Sequence, residues 1–234
     1  MRILPFSRKR TDKTTSGKIV SILQDRQVDL VVDVGANVGQ TGQSLRQAGY
    51  SGRILSFEPV PSAHAYLTAA AASDDQWTIA DRMAIGDSDG DIEINVSDST
   101  DMSSALDASD DLLRTLPKTQ STERVTVPLR RLDTVLPESI GDARNIFLKI
   151  DTQGFERNVL NGATETLQRI TGLQMELSLF PLYQGEETYL SFLNDLHAMG
   201  MTPLMLVETN FSRTLKRQLQ IDVVFAWPQQ EAQT

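Results

Sequence analysis

The sequence predicts an α/β fold in which a mostly parallel sheet carries helices on both faces. Short apolar segments that suit buried strands alternate with segments that suit helices, beginning with residues 28–34 and 40–48. The same alternation continues through residues 53–57, 63–72 and 77–84. Because crossovers between parallel strands are right-handed, these strands join one sheet between two layers of helices.

Composition points to one domain. The chain has 234 residues, 40% of them hydrophobic, and no Pro/Gly/Ser-rich linker divides it. We expect a domain at residues 16–228, preceded by a basic arm at 1–15 and followed by a polar tail at 229–234. No apolar run approaches the roughly 18 residues of a membrane span, and no signal-peptide core follows the basic start. A soluble, cytoplasmic protein is the expectation. The lack of cysteine excludes disulfides, thiolate metal ligands and a cysteine nucleophile.

Charge is unevenly distributed along the chain, whose formal net charge is −9. Between residues 73 and 111, twelve acidic residues face a single basic one, Arg82. Such a surface repels phosphate backbones, which argues against a nucleic-acid substrate. We interpret this segment as a solvated rim. The alternative is an acidic wall for a cationic or neutral polyhydroxyl acceptor.

A glycine-rich turn, DVGANVGQTG at residues 33–42, follows a short leading helix at 16–26 and the first strand. Its glycines allow a tight turn, and the next helix presents unpaired backbone N–H groups at its N-terminus. A dinucleotide fingerprint needs glycine where this chain has Asn37. Asp33 would repel a phosphate but could attract an ammonium or sulfonium, directly or through water.

The second strand, RILSFEP, ends in Glu58, where a βαβ unit places an acid on ribose hydroxyls. With Asn37 and Asp33 opposing a pyrophosphate, S-adenosylmethionine fits these strand ends better than NAD. A nicotinamide-linked oxidoreductase is one alternative, although no Tyr-x-x-x-Lys spacing supports it. A non-catalytic nucleoside-binding or scaffold protein with the same fold is the other.

Lys149 and Asp151 interrupt an otherwise apolar strand at 146–154, in the segment LKIDTQGFE, ahead of a helix at 156–170. Period-two alternation places both side chains on one face. An unpaired buried ion is costly, so they must form a structural pair or open onto a site. For a hydroxyl acceptor, Asp151 is the candidate general base and Lys149 the candidate stabiliser. A metal on Asp151 and Glu176 would lack a third ligand, so we predict none.

Four segments, DVGANVGQTG, FEP, MAIGD and above all LKIDTQGFE, resemble the FkbM family of S-adenosylmethionine-dependent methyltransferases. The resemblance covers the chain from about residue 28 to about residue 227. It implies a class I methyltransferase fold, Rossmann-like with seven strands, S-adenosylmethionine as cofactor, and O-methylation of a sugar, glycan or polyketide-type hydroxyl. The candidate donor-binding residues, of which Ser103 and Ser104 rest on the resemblance, are Asp33, Gly35, Ala36, Asn37, Gly39, Glu58, Pro59, Met83, Ala84, Ser103, Ser104 and Asp151.

Between these motifs the sequence predicts a small β-hairpin insertion. Asp89-Gly90 precedes the alternating Ile92, Ile94 and Val96, which indicates a hairpin turn. A calcium loop does not fit, because Ile92 stands where that loop requires glycine. A polar loop at 101–121, with a short helix at 107–116, is expected to be mobile or functional.

The remaining elements complete the sheet. A strand begins at residue 125 and leads into a helical turn up to 136. A strand at 173–180, a helix at 188–199 and strands at 202–208 and 221–227 follow. Arg213, Lys216 and Arg217 form a basic loop that we interpret as a solvated turn. The methyl acceptor, a small molecule or saccharide, and the oligomeric state are not specified further by the sequence.

Overall fold

The computed structural model describes residues 13–98 and 100–228. Arg2, Arg8, Lys9 and Arg10 of the predicted basic arm, and the predicted tail at 229–234, lie outside the described residues. The strands in the described part of the chain are β1 (Leu30–Val34), β2 (Arg53–Phe57), β3 (Trp77–Ile79), β4 (Ala84–Gly86), β5 (Gly90–Ser97), β6 (Ser121–Arg131), β7 (Ile146–Ile150), β8 (Ile170–Ser178), β9 (Thr202–Glu208), β10 (Phe211–Ser212), β11 (Arg217–Gln218) and β12 (Gln220–Ala226).

The main sheet has seven strands in the order β3-β2-β1-β7-β8-β12-β9. The first five in this order are parallel, and β12 lies antiparallel between β8 and β9. The mostly parallel, seven-stranded sheet is therefore confirmed. The chain pairs β2 on one side of β1 and β7 on the other, so the strand order reverses at β1. Such a reversal opens a crevice at the carboxyl ends of the strands, where ligands of open α/β sheets bind.

Helices cover both faces of this sheet, as predicted. On one face, Leu67 of a helix and Val31 of β1 belong to one buried apolar cluster. On the other, Val159 and Phe192 share a cluster with Val32. No helix in the described ranges is long and apolar enough to cross a membrane. The helices are α1 (Thr15–Asp25), α2 (Gln40–Gln47), α3 (Pro61–Ala71), α4 (Asp110–Thr115), α5 (Leu132–Ser139), α6 (Glu156–Asn161), α7 (Thr164–Leu167) and α8 (Tyr189–Ala198).

A second, three-stranded sheet, in the order β4-β6-β5, corrects two predictions. The strand expected at 77–84 is divided between β3 in the main sheet and β4 in the small one. The Asp89-Gly90 turn does not close a hairpin, because β4 and β5 lie on opposite sides of β6. Asp89 instead accepts a hydrogen bond from the backbone N–H of Arg131 at 3.0 Å, which ties the turn to β6. The antiparallel hairpin pair of this insertion is β5 with β6.

The helix predicted at 156–170 is broken into α6 and α7 at Gly162. A Cβ at Gly162 would collide with the carbonyl oxygen of Gly86. Asp133 accepts the backbone N–H of Thr166 at 2.8 Å and that of Glu165 at 3.1 Å, which holds the start of α7. β8 then begins at Ile170, before the predicted residue 173.

The basic loop after β9 is the exposed turn of a short hairpin, β10 with β11, which confirms the predicted solvated turn. Arg217 stacks on Phe180, with its guanidinium carbon 3.7 Å from the ring centroid. This contact fixes the hairpin to the end of β8, because a guanidinium over an aromatic face is attracted by the ring.

Candidate functional site

A cavity of about 310 Å³ opens at the carboxyl ends of β1, β2, β7 and β8, beside the reversal of strand order. This volume is in the range of small-molecule sites. The glycine-rich turn meets the segment LKIDTQGFE here, as the sequence predicted. This segment, residues 148–156, is called the KID segment below. The predicted site residues that line the cavity are Gly35, Ala36, Asn37, Glu58, Pro59, Met83, Ala84, Ser103, Ser104, Lys149 and Asp151.

The glycine-rich turn lies against the ends of both neighbouring strands. The backbone N–H groups of Gly35 and Ala36 donate to the carbonyl of Phe57 at 3.1 and 3.0 Å. Gly35 has φ +81°, and a Cβ there would collide with the carbonyl oxygen of Asp151. Only glycine therefore allows the turn to pack this closely on the end of β7.

Glu58 holds the turn with its carboxylate. Its Oε2 accepts the backbone N–H of Asn37 and its Oε1 that of Val60, both at 2.8 Å. Burial raises the pKa of Glu58 to about 7, although both backbone hydrogen bonds act to lower it. Asn37 adopts a left-handed backbone with φ +47°. The carboxylate that the sequence assigned to ribose hydroxyls thus also shapes the floor of the cavity.

Lys149 forms an ion pair with two carboxylates. Its Nζ lies 3.2 Å from Asp151 Oδ2 and 3.4 Å from Asp33 Oδ1. Burial alone would lower the pKa of Lys149, but Asp151, Asp33 and Asp222 hold it above its ordinary value. Lys149 and Asp151 line the cavity, so the pair both neutralises buried charge and opens onto a site.

Asp33 and Gly39 do not line the cavity. Asp33 is fully buried beneath Lys149, and burial raises its pKa. Lys149, whose Nζ lies 3.4 Å from Asp33 Oδ1, stands between Asp33 and the cavity, and the ligand contact that the sequence allowed for Asp33 stays a prediction. Gly39 begins α2 with φ +92°, and a Cβ there would lie 3.0 Å from the ring of Trp77. It serves helix packing.

The turn after β7 is shaped by the last residue of the KID segment, Glu156. Its Oε1 accepts the backbone N–H of Thr152 at 2.8 Å and that of Gly154 at 3.3 Å. Burial raises the pKa of Glu156 to about 7. Gln153 has φ +53° within this turn, which directs its side chain across the cavity wall towards β8.

The polar residues at the β8 end of the cavity include three that were not predicted from the sequence, Gln153, Thr209 and Asn210. Glu176 also lines this end, although the sequence suggested it only as a metal ligand. Gln153 lies inside the KID segment, so its position in the cavity could have been predicted from that motif. Thr209 and Asn210 follow β9, far along the chain, and no motif marks them. Among the residues described, no group of three or more His, Cys, Asp or Glu side chains is placed to hold a metal ion.

Residues 33–202 match the sequence profile of the methyltransferase FkbM domain. The chain belongs to this family. A curated relative, 2-O-methyltransferase NoeI of Sinorhizobium fredii (strain NBRC 101917 / NGR234), is 27% identical over 177 residues, which cover 72% of this chain and 71% of that protein. Membership sets aside both the nicotinamide-linked and the non-catalytic alternatives.

Solved structures show the same fold. Magnesium protoporphyrin IX methyltransferase (ChlM) from Synechocystis PCC 6803, with bound SAM, superposes with a TM-score of 0.50 and 12% identity, covering 97% of this chain and 86% of that one. An rRNA methylase described as putative, from Clostridium thermocellum, has a TM-score of 0.49 and 12% identity, covering 92% and 97%. The predicted class I methyltransferase fold is confirmed. The likeness shows the fold alone and gives no support for excluding nucleic acid.

The protein is thus an S-adenosylmethionine-dependent methyltransferase of the FkbM family, and the cavity residues fit that cofactor. Asn37 Oδ1 is buried and has no hydrogen-bond partner among the described residues, so it is available to a donor group on a ligand. Gly35 and Ala36 line the cavity beside it, and Glu58 supplies a buried carboxylate. Met83 and Ala84 add apolar lining beside them.

Proposed function

We propose that this methyltransferase methylates a hydroxyl group of a saccharide or another polyhydroxylated small molecule. The observation that carries the proposal is the polar lining of the β8 end of the cavity, where Gln153, Glu176, Thr209 and Asn210 supply amide, hydroxyl and carboxylate groups. Such groups match the alternating donors and acceptors of a polyol. The relative NoeI, named as a 2-O-methyltransferase, supports an oxygen acceptor.

The β1 and β2 end of the cavity is the proposed donor site. S-adenosylmethionine supplies a methyl group on a sulfonium when it is bound. Glu58 would accept the ribose hydroxyls, and the main chain at Gly35, Ala36 and Asn37 would contact the nucleoside. Pro59, Met83, Ala84, Ser103 and Ser104 would complete the wall, since all of them line the same cavity.

Asp151 and Lys149 are the proposed reaction-centre residues, because they lie between the two ends of the cavity. Asp151 takes either of two roles: it accepts the proton of the hydroxyl, or it holds the ammonium of the donor's methionine portion. Lys149, 3.2 Å from Asp151 Oδ2, limits the negative charge in both cases. Alignment of the acceptor oxygen and exclusion of water supply much of the remaining rate enhancement.

The acidic surface favours a small-molecule acceptor over nucleic acid. A cytoplasmic location is a separate part of the proposal. Eleven of the twelve acids between residues 73 and 111 are exposed, and four of the twelve pair with an arginine, namely Arg46, Arg114 or Arg124. A polyanionic substrate would be repelled by such a surface.

Methyl transfer from a donor with a deuterated methyl group tests the proposal. The panel comprises methyl glycosides of common hexoses, the matched amino-sugar glycosides and a short RNA, with products read by mass spectrometry and NMR. We expect the label on an oxygen of a glycoside. Label found only on the amine of an amino sugar, or only on RNA, would contradict an O-methyltransferase of saccharides.

A further inference from the structure

A second carboxylate, Glu176, lies beside Asp151 at the same level of the sheet. Lys149 pairs with Gln174 across β7 and β8, and Asp151 and Glu176 each follow these partners by two residues. The two acids therefore share one face on adjacent strands. Adjacent strands are about 4.8 Å apart, so the β2 and β8 ends of the cavity are separated by roughly 14 Å. Glu58 and Glu176 occupy these opposite ends.

Two glutamines fix the orientation of Glu176. Its Oε2 accepts from Gln153 Nε2 at 2.7 Å and from Gln220 Nε2 at 2.9 Å. Each amide is itself oriented through its oxygen, because Gln153 Oε1 accepts from the hydroxyl of Tyr183 at 3.0 Å and Gln220 Oε1 accepts from Asn210 Nδ2 at 2.7 Å.

The two oxygens of Glu176 consequently differ. Oε2 is anchored by two donors, whereas Oε1 accepts no hydrogen bond from the described residues, and the side chain lines the cavity. In Asp151 both oxygens are engaged, Oδ1 by Gln153 at 2.8 Å and Oδ2 by Lys149 at 3.2 Å. Glu176 therefore has one carboxylate oxygen with both acceptor sites open to a ligand, whereas each oxygen of Asp151 already accepts one hydrogen bond and keeps a single site.

We propose that Glu176 is the general base of the reaction, held in position by Gln153 and Gln220, and that Asp151 serves the donor's methionine portion. This assignment rests on the proposed hydroxyl acceptor. In the step, the acceptor O–H bond breaks and its proton moves to Glu176 Oε1. The oxygen's electron pair forms the new bond to the methyl carbon, and the carbon–sulfur bond breaks with its electrons remaining on sulfur.

The surroundings of Glu176 set the pH at which it works. Burial raises the pKa of Glu176 well above its ordinary value, Asp151 and Asp222 raise it further, and Lys149 and the Gln153 hydrogen bond oppose them. The phenol of Tyr183 also faces this cluster. Because the base must be ionised, kcat/KM should rise as pH increases through this pKa.

Glu176→Gln tests the assignment, because the amide oxygen can still accept from Gln153 and Gln220. With a methyl glycoside that the wild type methylates, we expect turnover to fall about 10²- to 10⁴-fold, while calorimetry with S-adenosylhomocysteine gives an unchanged dissociation constant. The acid limb of the pH profile should disappear from the residual activity.

Asp222→Asn is the matched control. Asp222 is the cross-strand neighbour of Glu176 and, like it, is hydrogen-bonded by a glutamine, Gln174, at 3.1 Å, but it does not line the cavity. This variant should retain turnover and move the acid limb to lower pH, since it removes a negative charge that raises the pKa of Glu176.

Asp151→Asn distinguishes the two acids. We expect it to weaken donor binding and to leave turnover at saturating donor nearly intact. A Glu176→Gln enzyme that keeps turnover and its acid limb, beside an Asp151→Asn enzyme that loses turnover with unchanged donor affinity, would overturn the assignment while leaving the proposed function standing. A wild type that methylates no glycoside would instead contradict the proposed function and, with it, this assignment.

Discussion

Glu58 and Glu156 have carboxyl groups with the same raised pKa of about 7, but they act on different parts of the site. Glu58 lines the cavity and anchors the turn after β1, whereas Glu156 closes the turn after β7 on itself. Burial is the larger effect on both pKa values, and the accepted backbone hydrogen bonds oppose it. The site thus holds two carboxyl groups whose protonation changes near neutral pH, Glu156 in a structural turn and Glu58 in the proposed donor site.

Glu156→Gln should change how stability depends on pH. The folded-state pKa is raised from 4.5 to about 7, so this group's contribution to stability is fully present below the ordinary pKa and is lost as pH rises through about 7. Glutamine has no such dependence. Between about pH 5 and pH 8, the free energy of unfolding of the variant should therefore gain about 2 to 3 kcal/mol relative to wild type.

Denaturant unfolding at both pH values measures this shift. Glu138→Gln, which replaces an exposed carboxylate on α5, is the control and should follow the wild type. Parallel pH dependence of the wild type and Glu156→Gln would show that burial does not raise the pKa of Glu156.

The sequence predicted some site residues and missed others for a physical reason. Glu58, Lys149 and Asp151 lie at strand ends, where alternation and the carboxyl edge of a parallel sheet fix their direction. Gln153, which donates to Glu176 at 2.7 Å, has a left-handed backbone with φ +53° that no strand or helix pattern predicts. Gln220 reaches it through the antiparallel register of β12 with β8, which no local pattern reveals.

At the scale of elements, the small sheet shows where local turn chemistry misleads. An Asp-Gly turn between alternating segments favours a hairpin, yet β6 lies between β4 and β5, and Leu129 pairs with both Ala84 and Gly90. The central position of β6 depends on long-range pairing. The helices α2 and α3, by contrast, begin and end close to their predicted bounds, because a glycine turn and a proline mark their starts.

Gly162→Ala tests the contact between α6 and the small sheet. The added Cβ would collide with the carbonyl oxygen of Gly86, so β4 and α6 must separate. We expect a loss of about 1 to 3 kcal/mol in stability, measured by thermal unfolding. Donor affinity should also fall, because Ala84 of β4 lines the cavity.

Gly90→Ala provides the matched control, since a Cβ at Gly90 meets nothing within 4 Å. Its melting temperature should stay close to that of the wild type. Equal melting temperatures for Gly90→Ala and Gly162→Ala would show that the close approach of Gly162 to β4 does not constrain the fold.

At the scale of the whole molecule, the reversal of strand order at β1 determines where the site lies. Glu58, which is predicted to bind the ribose hydroxyls, lies at the β2 end of the cavity. Glu176, an acid of the polar lining, lies at the opposite end, beside β8. The fold class and the cavity position of most residues of the proposed donor end could be predicted, because they depend on short segments at strand ends. The acceptor end could not, since it is assembled from β8, β12 and the residues after β9.

The central claim is that this cavity binds an S-adenosyl donor through Glu58, and calorimetric titration at about pH 8 tests it most directly. We predict binding of S-adenosylmethionine and S-adenosylhomocysteine but not of NAD. Glu58→Gln keeps an oxygen for one of the two backbone N–H groups, turns an amide nitrogen towards the other and loses the charge, so S-adenosylhomocysteine should bind roughly 10- to 150-fold more weakly, equivalent to about 1.5 to 3 kcal/mol. Binding of NAD, or an unchanged dissociation constant in Glu58→Gln, would contradict the account.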